Sequence, residues 1–293
     1  MKDSARALLS GVVDYAGTFP PARLDVSAAV RVYARYRRGP HAWMLGRLIL
    51  PLSCLETGIE LLRDTEDEGP GSWLLSVIVP SDDLSRFQPL EVEARHEGRI
   101  RVDSVEVPPC DPSRILEIPH TWEGRETYFE VPLGPGAEER LDAIAVAGAG
   151  AKVRTGGLER RAFPAAEELA SFLFACGERR IPFKATAGLH HPFWSVRKLG
   201  EEAGGAEVIM HGFVNLAVAA CLFHAGVIGA REVVEILEER DPATFVFEEG
   251  AMEWRGRRMG IAEIEEARKS FFRSFGACSF EEPIEGLREA RVL

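Results

Sequence analysis

The chain has 293 residues, of which 46% are hydrophobic and 28% are charged, and its formal net charge at pH 7 is −11. This composition supports a large buried core. The acidic balance argues against nucleic acid or an anionic membrane as a main partner. It leaves room for a local basic pocket, so we expect the partner to be a small anionic substrate.

The cysteines are widely spaced and form no C-x-x-C pair: Cys54, Cys110, Cys176, Cys221 and Cys278. This spacing is typical of reduced, separately buried thiols rather than of a disulfide framework or a zinc site. The N-terminus has no apolar core of a secretory signal, and no apolar run has the length of a membrane span. We therefore expect a cytoplasmic protein with no membrane association. We assign no cofactor and no metal ligands, and whether a metal is bound stays open.

Short apolar runs alternate with longer helical patterns along the chain, and glycine, proline or aspartate separates them. The predicted strands cover residues 9–15, 46–51, 73–80, 100–107, 127–131, 151–154, 182–186 and 207–210. The predicted helices cover residues 26–37, 56–63, 83–93, 112–118, 137–147, 164–178, 192–202 and 214–224. Runs such as LILP and LLSVIVP are typical of parallel strands that helices cover.

Eight strand–helix units predict a single α/β domain of the (β/α)8 TIM barrel class. The doubly wound alternative needs a G-x-G-x-x-G turn after the first strand, and this chain has DYAGTFPP there. We expect the barrel to cover residues 1–224. Residues 225–293 then form an extension packed on the barrel, with a hairpin around Glu248-Glu249-Gly250 and an amphipathic helix over 261–275.

Ionisable side chains occupy inward positions near the ends of the predicted strands. Alternate residues of a strand share a face, and barrel active sites lie at the carboxyl ends of the strands. This parity directs the following residues to the mouth: Asp14, Ser104, Glu106, Tyr128, Glu130, Lys152, Arg154, Lys184, Thr186 and His211. Buried charges are costly unless they are paired or functional, so this set predicts the working site.

Lys152 and Lys184 lie on neighbouring predicted strands, which are about 4.8 Å apart. A lysine is a nucleophile only when it is neutral, and burial and nearby cations lower its pKa. With Arg154 two residues beyond it, Lys152 is a candidate for a Schiff-base lysine. Glu106 and Glu130 are candidates for general base and acid, or alternatively they only pair with the cations and fix the geometry.

Three short motifs stand in order along the chain: Ala147-Gly148-Ala149, then Lys152-Val153-Arg154-Thr155-Gly156, then Lys184-Ala185-Thr186-Ala187-Gly188. This stretch, residues 147–188, resembles strands six and seven of the deoxyribose-phosphate aldolases and related class I aldolases. The resemblance implies that Lys152 forms the Schiff base, that Lys184 tunes it, and that the Gly156 and Gly188 loops approach a phosphate or similar anion. Arg154 and Ala187 depart from the family pattern, and Arg154 indicates a different substrate.

Three functions remain open. The first is an aldolase-like lyase acting on a small anionic oxo compound, with a substrate-binding set of Asp14, Arg154, Thr155, Gly156, Thr186, Gly188, His190 and His211. The second is a metal-dependent barrel lyase, isomerase or hydrolase that uses Glu106, Glu130 and His211. The third is a non-catalytic protein that holds an anion at the same cationic mouth. A homo-oligomer is compatible with all three.

Overall fold

The computed structural model describes residues 1–65, 71–83, 87, 98–118, 125–199 and 207–293. Eight parallel strands close into a barrel, in sequence order around the ring. They are β1 (Val13–Tyr15), β2 (Leu45–Pro51), β3 (Trp73–Ile78), β4 (Ile100–Val107), β5 (Glu126–Glu130), β6 (Gly150–Arg154), β7 (Phe183–Thr186) and β13 (Phe272–Ala277). The predicted (β/α)8 barrel is therefore confirmed.

Helices surround the barrel. Those in the described residues are Asp3–Leu9, Val26–Arg37, Leu55–Asp64, Pro112–Glu117, Ala137–Ala147, Ala166–Glu178, Phe213–His224, Ala230–Leu237, Ile261–Ser270 and Glu281–Glu289. The Asp25 side chain caps the second of these by accepting a hydrogen bond of 2.7 Å from the Ala28 amide. None of the described helices is both long and apolar enough to cross a membrane.

Two small antiparallel sheets lie outside the barrel. One consists of β8 (Ser195–Lys198) and β9 (Glu207–Met210), and the other of β10 (Phe245–Phe247), β11 (Ala251–Trp254) and β12 (Arg257–Gly260). The second sheet confirms the hairpin predicted around Glu248-Glu249-Gly250. The predicted helix over residues 192–202 is wrong, because β8 occupies that stretch. The predicted helix over 83–93 lies largely outside the described residues.

The prediction of the eighth barrel strand is wrong. Residues 207–210 form β9, which pairs only with β8 and buries just Val208, whereas a barrel strand is buried on both faces. The eighth strand is β13, which pairs with β1 on one side and β7 on the other. The helix predicted over 261–275 ends at Ser270, and the aromatic residues that follow extend into β13. Aromatic side chains favour strands, and Phe271, Phe272 and Phe275 are all buried.

The prediction that the barrel ends at residue 224 is therefore wrong. Because β13 closes the ring, the C-terminal segment supplies a barrel strand as well as the sheet and helices around it. Phe275 of β13 stacks on Phe213 at the start of the helix Phe213–His224, with ring centroids 5.0 Å apart. This contact joins the two predicted parts into one core.

Side chains alternate along β6 and β7 as the predicted parity requires. Val153, Phe183 and Ala185 are buried on the helix-facing side, and the Phe183 ring contacts Phe172 of the neighbouring helix edge to face at 5.7 Å. Lys152 and Lys184 alternate with these residues and lie on the opposite face of the strands. The register of β6 and β7 places the two lysines side by side. The apolar shell outside the strands thus orients both lysines toward the barrel axis.

Candidate active site

Polar and charged side chains fill the centre of the barrel, where (β/α)8 barrels usually hold branched apolar residues. Those that are buried, with at most 3% of their surface exposed, are Asp14, Ser76, Ser104, Glu106, Lys152, Lys184 and Ser274. They come from β1, β3, β4, β6, β7 and β13. Burying charges costs free energy unless each one is paired, so the pairing of this set decides what it can do.

Lys152 lies between two carboxylates. Its Nζ is 3.0 Å from Glu106 Oε2 and 3.0 Å from Glu130 Oε2. The contact with Glu130 follows from the strand register, because Glu130 lies directly opposite Lys152 on the neighbouring strand β5. Glu106 is one strand further away on β4 and reaches Lys152 across the inside of the barrel.

Lys184 also lies between two carboxylates. Its Nζ is 2.6 Å from Glu106 Oε1 and 2.7 Å from Asp14 Oδ2. The Nζ also lies 5.3 Å from the centroid of the Tyr128 ring, within the range of a cation–π interaction. Lys184 is 1% exposed and Asp14 is not exposed at all, so this pair lies deep in the barrel.

Glu106 bridges the two lysines and receives a further hydrogen bond from Ser76 Oγ at 2.7 Å. Ser104 Oγ in turn donates to Ser76 Oγ at 2.7 Å. Burial alone would raise the pKa of Glu106, but Lys184 and Lys152 outweigh burial and hold that pKa well below its usual range. Glu106 is therefore a fixed negative charge at the centre of the site.

The expected lowering of the Lys152 pKa is wrong. Burial does lower it, but the charges and hydrogen bonds of Glu106 and Glu130 outweigh burial, so the pKa of Lys152 is raised. Arg154 does not offset this, because its guanidinium pairs with Glu130 at 3.0 Å. The resting state of Lys152 is consequently an ammonium group, and a base must remove its proton before the amine can react.

Arg154 and Glu130 connect the buried charges to the mouth. The Arg154 side chain is 49% exposed, that of Glu130 is 11% exposed, and that of Lys152 is 3% exposed. The exposure decreases steadily from the rim inward. A ligand entering at the carboxyl ends of the strands meets Arg154 first, then Glu130, then Lys152.

A second charged cluster lies on the amino-terminal side of the lysines, and sequence reasoning missed it. Arg47 of β2 contacts Asp103 at 2.6 Å and Glu126 at 2.8 Å, and its backbone N–H donates to Asp14 Oδ1 at 2.7 Å. Arg273 of β13 pairs with Glu126 as well. Strand parity could have indicated Arg47, since it shares a face with Ile49 in the predicted second strand.

Ser274 was missed for a different reason. Its Oγ donates to Asp14 Oδ2 at 2.7 Å, but it lies in β13, which was predicted as part of a helix. Ser76 could have been noticed, because it is the lone polar residue in the apolar run LLSVIVP. Its hydrogen bond to Glu106 helps to hold that carboxylate where both lysines contact it.

The loops after β6 and β7 pack against each other. Thr155 Oγ1 donates to the Ala187 carbonyl, and the Thr155 amide donates to the Thr186 carbonyl at 2.9 Å. A Cβ on Gly156 would lie 2.5 Å from Gly188 Cα, so the two backbones touch. The glycines predicted to approach an anion are thus required for the contact between the loops themselves.

The two histidines of the predicted binding set lie in different places. His190 Nδ1 is 2.8 Å from Glu282 Oε2 in the helix Glu281–Glu289. His211 follows β9 rather than a barrel strand, and its Nε2 donates to the Pro164 carbonyl at 2.9 Å. It lines a separate cavity of about 460 Å³ with Trp194 and Phe163, and burial lowers its pKa.

The described residues contain no group of three or more His, Cys, Asp or Glu side chains placed to hold a metal ion. Glu106 and Glu130 bind the lysines, whereas His211 binds a backbone carbonyl elsewhere. The three residues considered for a metal site each have other partners in this structure.

Comparison of the sequence with models of known protein families finds no match. A search of curated proteins finds no significant relative either. The class that fold and site define is a (β/α)8 barrel with a buried lysine–carboxylate network in its interior.

Proposed function

We propose that this protein is an enzyme acting on a small anionic oxo compound through the amine of Lys152, as a lyase of the Schiff-base type. One observation carries the proposal. Alternating charges run from the exposed Arg154 through Glu130 to the buried Lys152, and on through Glu106 to Lys184. This arrangement offers an anion-binding group, a base and a nucleophile in the order in which a substrate would meet them.

The choice of lysine at these positions supports the proposal. Lysine is rare in this arginine-rich chain and occurs only at Lys2, Lys152, Lys184, Lys198 and Lys269. Lys2, Lys198 and Lys269 are exposed, and both buried lysines lie in the barrel. Arginine could supply a positive charge equally well, but it stays protonated in proteins, whereas lysine can lose its proton and act as a nucleophile.

Glu130 is the base that would generate the amine. An anionic group of the substrate competes with Glu130 for Arg154, whose side chain reaches the rim. Glu130 is then free of its arginine partner, and its Oε2 lies 3.0 Å from Lys152 Nζ, within reach of the proton that it would accept. The proton then passes from the ammonium group to the Glu130 carboxylate, which leaves a neutral amine beside the substrate.

The following steps use the same groups. The Lys152 nitrogen attacks the carbonyl carbon, and the carbonyl oxygen takes up a proton to give a carbinolamine. Loss of water, with the Glu130 proton assisting the departing hydroxyl, leaves a protonated Schiff base. This cation accepts the electron pair of the breaking carbon–carbon bond while a carboxylate removes the proton of the β-hydroxyl group. The enamine that remains takes up a proton at carbon, which the carboxylate that received the hydroxyl proton can return, and this restores the Schiff-base cation. Water then adds to the cation and releases the carbonyl product and the free amine of Lys152.

Borohydride trapping tests the proposal. The protein is incubated with pyruvate, glyoxylate or dihydroxyacetone phosphate, reduced with sodium borohydride, digested and analysed by mass spectrometry. We expect a stable adduct at Lys152 with at least one compound, at a level well above the exposed Lys198 and Lys269. Lys152→Arg keeps the charge but cannot form the adduct, and Lys198→Arg is the matched control. Labelling of Lys152 no greater than that of Lys198 with every compound would refute the proposal.

A further inference from the structure

We propose that the substrate is an α-oxo acid, in which the carboxylate stands directly beside the carbonyl group, and that Arg154 selects it. The inference rests on the proposed function, because it names the substrate class of that same site. It follows from the spacing of Arg154 and Lys152, which one carboxylate of the protein bridges.

Glu130 contacts Arg154 with one oxygen and Lys152 with the other. Its Oε1 accepts a hydrogen bond from Arg154 Nε at 3.1 Å and lies 3.0 Å from Nη2, whereas its Oε2 lies 3.0 Å from Lys152 Nζ. The two oxygens of a carboxylate are two bonds apart. The guanidinium group and the amine are therefore held at the spacing that a single O–C–O group spans.

A substrate that meets the same two groups must match this spacing. One carboxylate oxygen takes the place of Glu130 Oε1 on Arg154, and the carbonyl carbon lies about 3–3.5 Å from Lys152 Nζ, the usual distance before attack. In an α-oxo acid these two atoms are also two bonds apart. They are three bonds apart in a β-oxo acid and four bonds apart in levulinate or dihydroxyacetone phosphate. The bridge formed by Glu130 therefore fits an α-oxo acid best.

Arg154 is placed to receive a carboxylate from the mouth of the barrel. Its side chain is 49% exposed, whereas that of Lys152 is 3% exposed. The two residues lie two positions apart on β6 and therefore share a face. A guanidinium group presents paired N–H donors that fit the two oxygens of a carboxylate. The substrate thus enters with its carboxylate at the rim and its carbonyl group directed inward to the amine.

The loops after β6 and β7 offer less to a phosphate than the resemblance to the aldolases implies. The Thr155 amide and hydroxyl already donate to the Thr186 and Ala187 carbonyls. A Cβ on Gly156 would lie 2.5 Å from Gly188 Cα, so the two glycines fill the space between the loops. Phosphate sites commonly combine several backbone N–H donors, whereas one guanidinium fork satisfies a carboxylate. These contacts favour a carboxylate.

The chemistry at Lys152 defines the substrate further. Cleavage through a Schiff base needs a hydroxyl group on the γ carbon of an α-oxo acid. The bond between the β and γ carbons breaks and its electron pair moves into the Schiff-base cation. The hydroxyl proton goes to a carboxylate, which returns it to the β carbon. A γ-hydroxy-α-oxo acid is thus converted into a shorter α-oxo acid and an aldehyde or ketone.

A comparison of carbonyl compounds tests the spacing. The protein is incubated with sodium cyanoborohydride and with pyruvate, levulinate, dihydroxyacetone phosphate or hydroxyacetone, and mass spectrometry measures the adduct at Lys152. The first three differ in the number of bonds between anion and carbonyl, and hydroxyacetone carries no anion. We expect pyruvate to give half-maximal labelling at a concentration about tenfold or more below that of the others, the effect of one charge-assisted contact.

Arg154→Met tests the role of the guanidinium group. Pyruvate and hydroxyacetone are compared in the same variant, because an effect of the substitution on the amine itself acts on both compounds and cancels in their ratio. We expect the ratio of the two labelling rates to fall about tenfold or more. Arg161→Met is the matched control, since Arg161 lies in the loop after β6, is 86% exposed and pairs with Glu159. Its ratio should stay within about twofold of that of the unchanged protein.

Binding of oxamate tests the inference without any covalent step. Oxamate has the shape of pyruvate, but its amide carbonyl does not form a Schiff base. Malonamate carries one more methylene group between carboxylate and carbonyl and is the matched ligand. Titration calorimetry should show that oxamate binds about tenfold or more tightly than malonamate. Arg154→Met should remove this preference.

Equal labelling by pyruvate, levulinate and dihydroxyacetone phosphate would overturn the inference. An unchanged ratio in Arg154→Met, or oxamate bound no more tightly than malonamate, would overturn it as well. The two proposals fail separately. A preference for oxamate with no trapped adduct at Lys152 would support the α-oxo acid and reject the Schiff base. An adduct at Lys152 from dihydroxyacetone phosphate rather than from pyruvate would do the reverse.

Discussion

Lys152 and Lys184 bind the two oxygens of one carboxylate. Lys152 Nζ is 3.0 Å from Glu106 Oε2, and Lys184 Nζ is 2.6 Å from Glu106 Oε1. The register of β6 and β7 places the two lysines side by side, and Glu106 keeps these two like charges together although neither side chain is more than 3% exposed. Each lysine has one further carboxylate of its own, Glu130 for Lys152 and Asp14 for Lys184.

Glu106→Gln should be strongly destabilising. The amide keeps the size of the side chain but removes the charge that holds two buried ammonium groups together, and breaking a buried ion pair costs about 3–5 kcal/mol. Urea unfolding gives the free energy of unfolding. Glu235→Gln is the control, because Glu235 pairs with Arg231 on the surface, where the loss should stay below about 1 kcal/mol. Equal losses in the two variants would contradict the central role of Glu106.

The same network predicts how stability depends on pH. The pKa of Glu106 is lowered in the folded state, so its contribution is complete above its ordinary value of 4.5 and is lost as the pH falls below it. The pKa of Lys152 is raised, so its contribution is complete below 10.5 and is lost as the pH rises above it. We expect the free energy of unfolding to decline on both sides of this window.

Comparing the protein with Glu106→Gln isolates the acidic side of this profile. The stability difference between the two should be constant near neutral pH and should shrink by about 2 kcal/mol between pH 4.5 and pH 3, since one pH unit corresponds to about 1.4 kcal/mol. Urea titrations at several pH values measure it. A difference that is as large at pH 3 as at pH 7 would show that Glu106 does not keep its charge as proposed.

Much of the site could be predicted because it depends on local parity. Once residues 151–154 and 182–186 were identified as strands, alternation alone placed Lys152 and Lys184 inside the barrel and Val153 outside. The possibility that Glu106 and Glu130 pair with the lysines also followed from residue types, and the structure shows those pairs. The direction of the Lys152 pKa did not follow, because it depends on how many carboxylates surround that one amine.

The contact between Asp14 and Lys184 could not be predicted. β1 and β7 are not neighbours, since β13 lies between them, and β13 was mistaken for the end of a helix. Residues 207–210 (EVIM) and 272–277 (FRSFGA) are both short and mix apolar with polar residues, and their local patterns do not distinguish a surface hairpin from a barrel strand. Residues 272–277 are the barrel strand because they pair with β1 and β7, and both of these strands lie more than 80 residues earlier in the sequence.

Gly46→Ala should damage the site although it replaces no charged residue. A Cβ at this position would lie 2.2 Å from Asp14 Oδ1 and 3.3 Å from the Val13 carbonyl. Either the carboxylate moves away from its partners or β2 shifts, and overpacking of this kind costs about 1–3 kcal/mol. Thermal or urea unfolding measures the loss.

Gly250→Ala is the matched control for this substitution. Nothing lies within 4 Å of a Cβ at Gly250, and its backbone is not left-handed. Its free energy of unfolding should change by less than about 0.5 kcal/mol. If Gly46→Ala were equally mild, the close approach of β2 to Asp14 would not be a constraint on the barrel.

A fragment of residues 1–224 should not fold. Without β13, the facing edges of β1 and β7 lose their hydrogen-bonding partner, and the barrel stays open. Phe275 no longer covers Phe213, and Asp14 loses Ser274. We expect the fragment to lack a cooperative urea transition and a dispersed amide spectrum. A chain ending at residue 279 keeps β13 and loses only the terminal helix Glu281–Glu289, so it should fold with reduced stability. Cooperative unfolding of the 1–224 fragment would mean that β13 is not needed to close the barrel.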